Sequence, residues 1–292
     1  MSGILEGGVK KEDIDSLGKD KNIRWDIKFE TIISEINDVH KTILSYSYFK
    51  YLKSWKFELS DLLSDAIALN FTILVYQDWV RKGKPKSKDS KVRQFQKNSF
   101  ILLDSLIYEY VNQMWRGASD SRIANNISSF ASKEEAFVPV TQEKWEELLN
   151  EIFESQTIDG SRITRPLMDP LLYHFYALSG ISGPDSIYNI EVDHILPQEL
   201  FNNTFIQNKE GLVHSLFNLA LLPKDENASK GKKLLVQITD NWLKDQIEKY
   251  AFIPKDDYQI YSDIANFEKL KKLREPIFLE AFTVKRRKIL NN

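Results

Sequence analysis

The chain has 292 residues, of which 42% are apolar and 12% aromatic, enough to bury the core of one large or two moderate domains. This composition, with only 11 Gly and 9 Pro, excludes a disordered or low-complexity protein. The lack of Cys excludes disulfides and Cys-ligated zinc, and the formal charge of −2 excludes a uniformly basic coat for nucleic acid.

The first half of the sequence predicts helices. Residues 1–22 are polar, with no apolar segment behind a basic start, so we expect a flexible lead-in and no secretion signal. Apolar residues then recur at helical spacing, and Ser60 is the expected cap of the second pattern. The stretch Trp115–Asn126, rich in Gly, Ser, Asp and Asn, is expected to be a loop. The helical patterns cover residues 24–48, 60–82, 92–115, 144–153 and 167–178.

Two basic segments are candidates for contact with a nucleic-acid backbone. Arg81–Arg93 holds seven basic residues and one acid, and Lys285–Lys288 reads KRRK. In the first segment the expected contacts are Lys84, Lys86 and Lys88, although charge runs beside Gly and Pro are also typical of solvated linkers. No apolar stretch is long enough to span a membrane, and a cytoplasmic location is the expectation.

The period of the sequence changes after Ser179–Ser186, whose Ser, Gly and Pro content predicts a linker. We therefore expect a mainly α protein with a helical domain over residues 23–180 and a second domain over residues 181–292. Ile190 and Val192 alternate with polar residues, which indicates a short strand, and Leu219–Leu222 indicates another. A polar helix start follows, so the expected order is strand, long connection, strand, helix, and then further C-terminal helices.

Polar residues lie at the ends of these predicted strands and at the start of the helix. The segments are EVDHILPQ, which begins at Glu191, and FNLALLPKDENASKGK, which begins at Phe217. An Asp-His pair ends the first strand, an Asn opens the second, another Asn follows nine residues later, and a Lys three residues after that. This order resembles the HNH nuclease superfamily, including the HNH domains of CRISPR effector nucleases. The HILPQ and NLALLP stretches resemble the C-terminal nuclease region of GmrSD-type modification-dependent restriction enzymes.

The resemblance implies a ββα-metal (HNH) nuclease domain within residues 181–292 that hydrolyses DNA. Phosphodiester hydrolysis needs a base to take a proton from water and an electrophile to neutralise charge on the phosphate. The implied general base is His194, and the implied ligands of one Mg²⁺ or Mn²⁺ ion are Asp193 and Asn227. Asn218 is implied to orient His194 by bonding the loop backbone. Phosphate contacts are expected from Lys230, Lys232 and Lys233.

Other features leave alternatives open. Ile158–Arg165 predicts a turn between helices in which Arg162 and Arg165 are candidate phosphate contacts. His214 either bonds a phosphate, braces the second strand or lies at a helix surface. The resemblance implies restriction or phage defence, alone or beside a separate recognition or NTPase subunit. The alternatives are a ribonuclease or toxin with the same site, and a non-catalytic nucleic-acid-binding or scaffold subunit.

Overall fold

A computed structural model of the protein describes residues 25–86, 89–117, 119–132, 137–154, 157–158, 161–184, 189–202 and 209–291, together with residues 12, 15, 16 and 19. Apart from those four positions, the predicted lead-in lies outside the described residues. The chain is mainly helical, which confirms that part of the fold prediction. Within the described ranges, no helix combines the length and the apolar character that crossing a membrane requires.

The chain forms two compact units. The first comprises residues 1–50 and 58–140, and the second comprises residues 51–57 and 141–292. Two helices that the sequence assigned to the first domain, residues 142–154 and 165–178, therefore belong to the second unit. The described part of the predicted linker, residues 179–184, also lies inside the second unit.

Close packing explains why residues 179–184 are folded into this unit. The backbone amide of Gly183 donates to Ser54 Oγ at 2.9 Å, and Trp55 Nε1 donates to the Ile181 carbonyl at 2.7 Å. A Cβ atom on Gly183 would lie 2.4 Å from the carbonyl oxygen of Ser54, so only glycine allows this approach. The glycine that favoured a linker in the sequence thus serves a tight backbone contact.

The regular structure of the first unit is helical among its described residues. Its apolar faces supply a core that includes Ile67, Leu74, Phe95, Leu103 and Ile107. Its helices are α1 (Trp25–Leu44), the first half of α2 (Ser47–Ser54), α3 (Leu59–Leu62), α4 (Asp65–Arg81), α5 (Val92–Val111) and α6 (Ser119–Ser132).

Two local predictions in this unit were wrong. The cap of α4 is Ser64, not Ser60, because Ser64 Oγ accepts from the amide of Ile67 at 3.3 Å. Helix α6 also begins at Ser119, inside the stretch expected to be a loop. Ile123, Ile127 and Phe130 are buried at spacings of four and three residues, so burying one apolar face outweighs the loop-favouring composition.

The second unit combines helices with two small antiparallel sheets. Strands β1 and β2 pair antiparallel, and residues 159 and 160 of the turn predicted for Ile158–Arg165 lie outside the described residues. Its elements are the second half of α2, α7 (Gln142–Glu154), β1 (Thr157–Ile158), β2 (Ser161–Arg162), α8 (Arg165–Leu178), β3 (Ile190–His194), α9 (Gln198–Asn202), α10 (Lys209–Val213), β4 (Leu219–Pro223), α11 (Lys224–Lys230), α12 (Asn241–Ala251), α13 (Phe267–Glu280) and α14 (Arg286–Asn291). Short 3₁₀ turns cover Leu216–Asn218, Leu235–Gln237, Lys255–Asp257 and Ile264–Asn266, and a π-helical turn, Ala281–Lys285, joins α13 to α14.

Strand β4 is the centre of this unit and is buried along its whole length. It pairs with β3 and packs against α8, α11 and α12. Helix α8 is almost wholly buried, and its Tyr176 hydroxyl accepts from the amide of Leu221 at 3.3 Å. A fully buried strand reads as an apolar run without alternation, which is the pattern of residues 219–222. Strands β3 and β4 and helix α11 are therefore anchored on a buried core.

Candidate active site

The register of β3 and β4 brings the predicted site residues together. His194 pairs with Leu219 and Asp193 pairs with Ala220, so the end of β3 meets the start of β4. Asn218 directly precedes β4 and therefore lies beside the turn that follows His194. Helix α11 starts immediately after β4, which returns Asn227 and Lys230 to the same pair of strands.

Asn218 braces the turn after His194. Its side-chain Oδ1 accepts from the amide of Leu196 at 2.8 Å, and its Nδ2 donates to the carbonyls of Leu196 at 3.1 Å and Val213 at 3.0 Å. Its own carbonyl accepts from the amide of Ile195 at 2.8 Å. The side chain is fully buried, and these bonds satisfy it while fixing the backbone that carries His194.

Asp193 and Lys230 form a buried ion pair. Lys230 Nζ lies 3.1 Å from Oδ1 and 3.0 Å from Oδ2 of Asp193, and it also donates to the carbonyl of His194. Burial raises the pKa of Asp193 to about 6, while the charge of Lys230 acts in the opposite direction. At neutral pH the carboxylate is ionised and Lys230 is its counter-charge.

This ion pair differs from the predicted role of Lys230. Only 1% of the lysine is exposed, and its ammonium points at Asp193, not outward at a phosphate. The physical reason is the cost of burying a carboxylate without a partner, which amounts to several kcal/mol. Asn227 and Lys230 are three residues apart on α11, so both side chains face β3.

His194 lies on the opposite face of β3 from Asp193, as adjacent strand residues do. Its Nε2 is 3.4 Å from Nδ1 of His214, and Gln198 Nε2 lies 3.3 Å from each of its ring nitrogens. Burial lowers the pKa of His194 to about 3, and the nearby charges of His214, Arg165 and Lys230 lower it further. The imidazole is therefore neutral at physiological pH, the form that accepts a proton.

Asn227 contacts the acidic face of β3. Its Nδ2 donates to Glu191 Oε2 at 3.1 Å, and Lys224 Nζ pairs with Glu191 Oε1 at 3.3 Å. Glu191 and Asp193 are two residues apart on β3 and share this face. Asn227 is in the middle of α11, which begins at Lys224. With its nitrogen held by Glu191, Asn227 Oδ1 accepts no hydrogen bond from any described residue.

Comparison with protein families identifies the second unit. The family model described as GmrSD restriction endonucleases, C-terminal domain, matches residues 138–289, more than half of the chain. The chain belongs to the GmrSD C-terminal domain family. Neither the search of curated proteins nor the search of solved structures found a match. The match includes β3, β4 and α11, so the residues above lie in a domain of restriction-endonuclease type.

The GmrSD domain holds several site residues that the motif did not predict. His214 lies against His194, although the sequence left its place open. Arg165, at the start of α8, bonds Asp169 Oδ2 through Nε at 3.4 Å, and its charge lowers the pKa of both Asp193 and His194. Its side chain is partly exposed, and its two terminal nitrogens have no partner among the described residues. The sequence names Arg165 as a candidate phosphate contact, but only the structure shows that its charge acts on this site, because it lies 29 residues before His194 in a different element.

The predicted nucleic-acid contacts are divided between the two units. In the GmrSD domain, Lys232 is exposed and pairs with Glu199 at 2.6 Å, Lys233 is exposed, and the side chain of Arg162 lies outside the description. In the first unit, Lys84 pairs with Glu35, Lys86 is exposed, and Lys88 falls outside the described residues.

Proposed function

We propose that the GmrSD domain of this chain is a metal-dependent HNH endonuclease that hydrolyses DNA phosphodiester bonds. The observation that carries the proposal is the convergence of β3, β4 and α11, which gathers an acid, a neutral histidine and two asparagines from three separate stretches. Membership of a restriction-endonuclease family supports the same reaction. The residues concerned are Asp193, His194, Asn218 and Asn227.

His194 is the proposed general base. Its imidazole is neutral near pH 7 and is partly exposed, so it can reach a water molecule and take its proton as that water attacks phosphorus. Asn218 holds the turn after the histidine and thereby sets the direction of the ring. Proximity and orientation of this kind account for much of a catalytic rate.

Asp193 and Asn227 suit a Mg²⁺ or Mn²⁺ ion by the chemistry of their donors. Both offer oxygen, and within the described residues no group of three or more His, Asp or Glu side chains forms a closed metal cage. An open site with few protein ligands is typical of Mg²⁺, which keeps water and binds phosphate. When bound, such an ion supplies positive charge that neutralises the phosphate and the leaving oxygen. In the structure, the cation beside Asp193 is the ammonium group of Lys230.

Substrate contacts are proposed for the cations that remain exposed. Arg165 has two guanidinium nitrogens that no described residue binds, and its charge acts on the pKa of His194, which suits a phosphate next to the cleaved bond. Lys232 and Lys233 follow α11 and are exposed, so they are candidates for the DNA backbone. We propose restriction or phage defence in the cytoplasm as the setting, with a separate recognition or NTPase subunit as partner.

Cleavage assays on matched variants test the proposal. Purified wild type, Asp193→Asn, His194→Ala and the control His40→Ala are incubated with supercoiled plasmid, linear DNA or RNA, in Mg²⁺, Mn²⁺ or chelator. His40 is an exposed histidine on α1, so its loss leaves the site intact. We expect loss of general-base catalysis to slow DNA cleavage roughly 100- to 10,000-fold in His194→Ala and not in His40→Ala.

Each alternative outcome has a distinct signature. Equal cleavage by wild type and His194→Ala would overturn the site. Cleavage of RNA alone would make the chain a ribonuclease with the same residues. No cleavage of any substrate, together with intact DNA binding, would favour a non-catalytic scaffold subunit.

A further inference from the structure

Arg274 is a fully buried arginine in the middle of α13. Its Nη1 donates to the carbonyls of Leu216 at 3.1 Å and Phe217 at 2.7 Å, and its Nη2 donates to the carbonyl of Leu219 at 2.9 Å. One guanidinium thus holds three backbone carbonyls of the segment that joins α10 to β4. The residue between them in the chain is Asn218.

The stability of the fold does not by itself account for this arginine. No carboxylate among the described residues pairs with Arg274, and its Nε is buried without a hydrogen-bond partner in that same part of the chain. Burial lowers its pKa to about 10, which reflects the cost of keeping the charge away from water. An apolar side chain of similar volume would avoid that cost but would leave these three carbonyls without their donor, so the fixed fork of the guanidinium holds this stretch of backbone in place.

The three carbonyls flank the residue that braces the candidate site. From this turn, the carbonyl of Asn218 accepts from Ile195 and its side chain bonds both backbone groups of Leu196. A shift of the turn would therefore move the backbone that directly follows His194. The chain of contacts runs from α13, through residues 216–219, to the end of β3.

We propose that Arg274 is a positioning residue of the nuclease site, which sets the 216–219 turn so that Asn218 can orient His194. The inference rests on the proposed function of that site. Arg274 touches neither His194 nor Asp193, and it acts through backbone carbonyls alone. Its consequence is that the site extends to α13, far along the sequence from the HNH-like motif.

Amide hydrogen exchange measures this role without relying on catalysis. In Arg274→Met, the amides of Ile195 and Leu196 should exchange roughly tenfold faster or more, because charge-assisted bonds to the turn are lost. The amide of Leu103, in α5 of the first unit, is the internal control and should be unchanged. The matched variant is Arg286→Met, since Arg286 is equally buried but lies 5.7 Å from the Trp145 ring. It should leave both site amides at their wild-type rates.

Cleavage kinetics and a conservative variant complete the test. We expect Arg274→Met to lower kcat roughly 10- to 100-fold with KM little changed, as for lost outer contacts of a catalytic residue. Arg274→Lys, which keeps the charge and some of the donors, should recover part of both effects and covers the case in which Arg274→Met does not fold. In Arg274→Met/Asn218→Ala, exchange at Leu196 should match that of Asn218→Ala.

The outcomes separate this inference from the proposed function. Unchanged exchange at Ile195 and Leu196 in folded Arg274→Met or Arg274→Lys would overturn it, even if wild type cleaves DNA. Equal acceleration in Arg286→Met would also overturn it, because the effect would then be general loosening. Absence of cleavage by wild type would count against the proposed function alone and would leave the exchange result to decide the positioning role.

Discussion

The candidate site in the second unit contains a buried paired lysine, whereas the basic segment of the first unit contains an exposed paired lysine. Lys230 is 1% exposed and pairs with a buried aspartate at the end of a strand, whereas the side chain of Lys84 is 45% exposed and pairs with Glu35 across the surface. Both pairs satisfy a carboxylate. The two pairs contribute differently to the free energy of unfolding, because a buried charge that loses its partner is costly while a surface pair contributes little.

Removal of one lysine from each pair gives the largest expected contrast. Lys230→Met should lower the free energy of unfolding by about 3–5 kcal/mol, because Asp193 would keep a buried charge without a partner. Lys84→Met should cost no more than ~1 kcal/mol, since Glu35 is partly exposed and keeps the hydrogen bond from the Tyr76 hydroxyl. Denaturant unfolding in chelator at pH 7 measures both.

A double variant identifies the source of that loss. Lys230→Met/Asp193→Asn removes both charges and should recover part of the stability lost in Lys230→Met. Equal losses in Lys230→Met and Lys84→Met would contradict the contrast between the two regions and would mean that Asp193 reaches water.

The surroundings of Lys230 also show which structural features could be predicted from the sequence. The two strands were predictable, because alternation at Ile190 and Val192 and the apolar run from Leu219 are local patterns. The phase of α11 was not predictable from its composition. The helix begins at Lys224, so Asn227 and Lys230 share one face, and that face meets the acids of β3.

Some residues of the candidate site were predictable from the sequence motif, and others were not. Asn218 could be placed beside His194 by resemblance, since the motif carries its spacing. His214 lies inside the motif but not at one of its fixed positions, and Arg165 and Arg274 lie outside it, so only tertiary packing shows that they belong to the site. The linker predicted at Ser179–Ser186 failed to account for Gly183 for a related reason. Glycine that relieves a close contact cannot be told from glycine in a flexible segment without the partner backbone.

The pH dependence of stability is the next effect in size. The pKa of His194 is lowered from 6.5 to about 3, so between these values the unfolded chain binds a proton that the native chain does not. Its contribution is present above pH 6.5 and is lost as pH falls toward 3. The raised pKa of Asp193 acts oppositely, with stability lost as pH rises from 3.8 to about 6.

Substitution of the histidine separates the two opposing effects. The unfolding free energy of wild type relative to His194→Gln should fall by up to about 1.4 kcal/mol per pH unit as pH is lowered from 6.5 toward 3. Denaturant unfolding in chelator gives the value at each pH. A constant difference between wild type and His194→Gln would mean that the histidine titrates normally in the native protein.

The smallest effect concerns the salt dependence of DNA binding by the basic segment. Each lysine that contacts a phosphate releases counterions, so Lys86→Gln should reduce the slope of log affinity against log salt by about 1. Lys84→Gln should leave the slope unchanged, because Glu35 already neutralises Lys84 and the lysine releases no counterion on binding. Equal flattening in both variants would mean that the Glu35 pair opens on DNA. A slope unchanged in both would make the segment a solvated linker, because a lysine without a phosphate partner has no counterion to release.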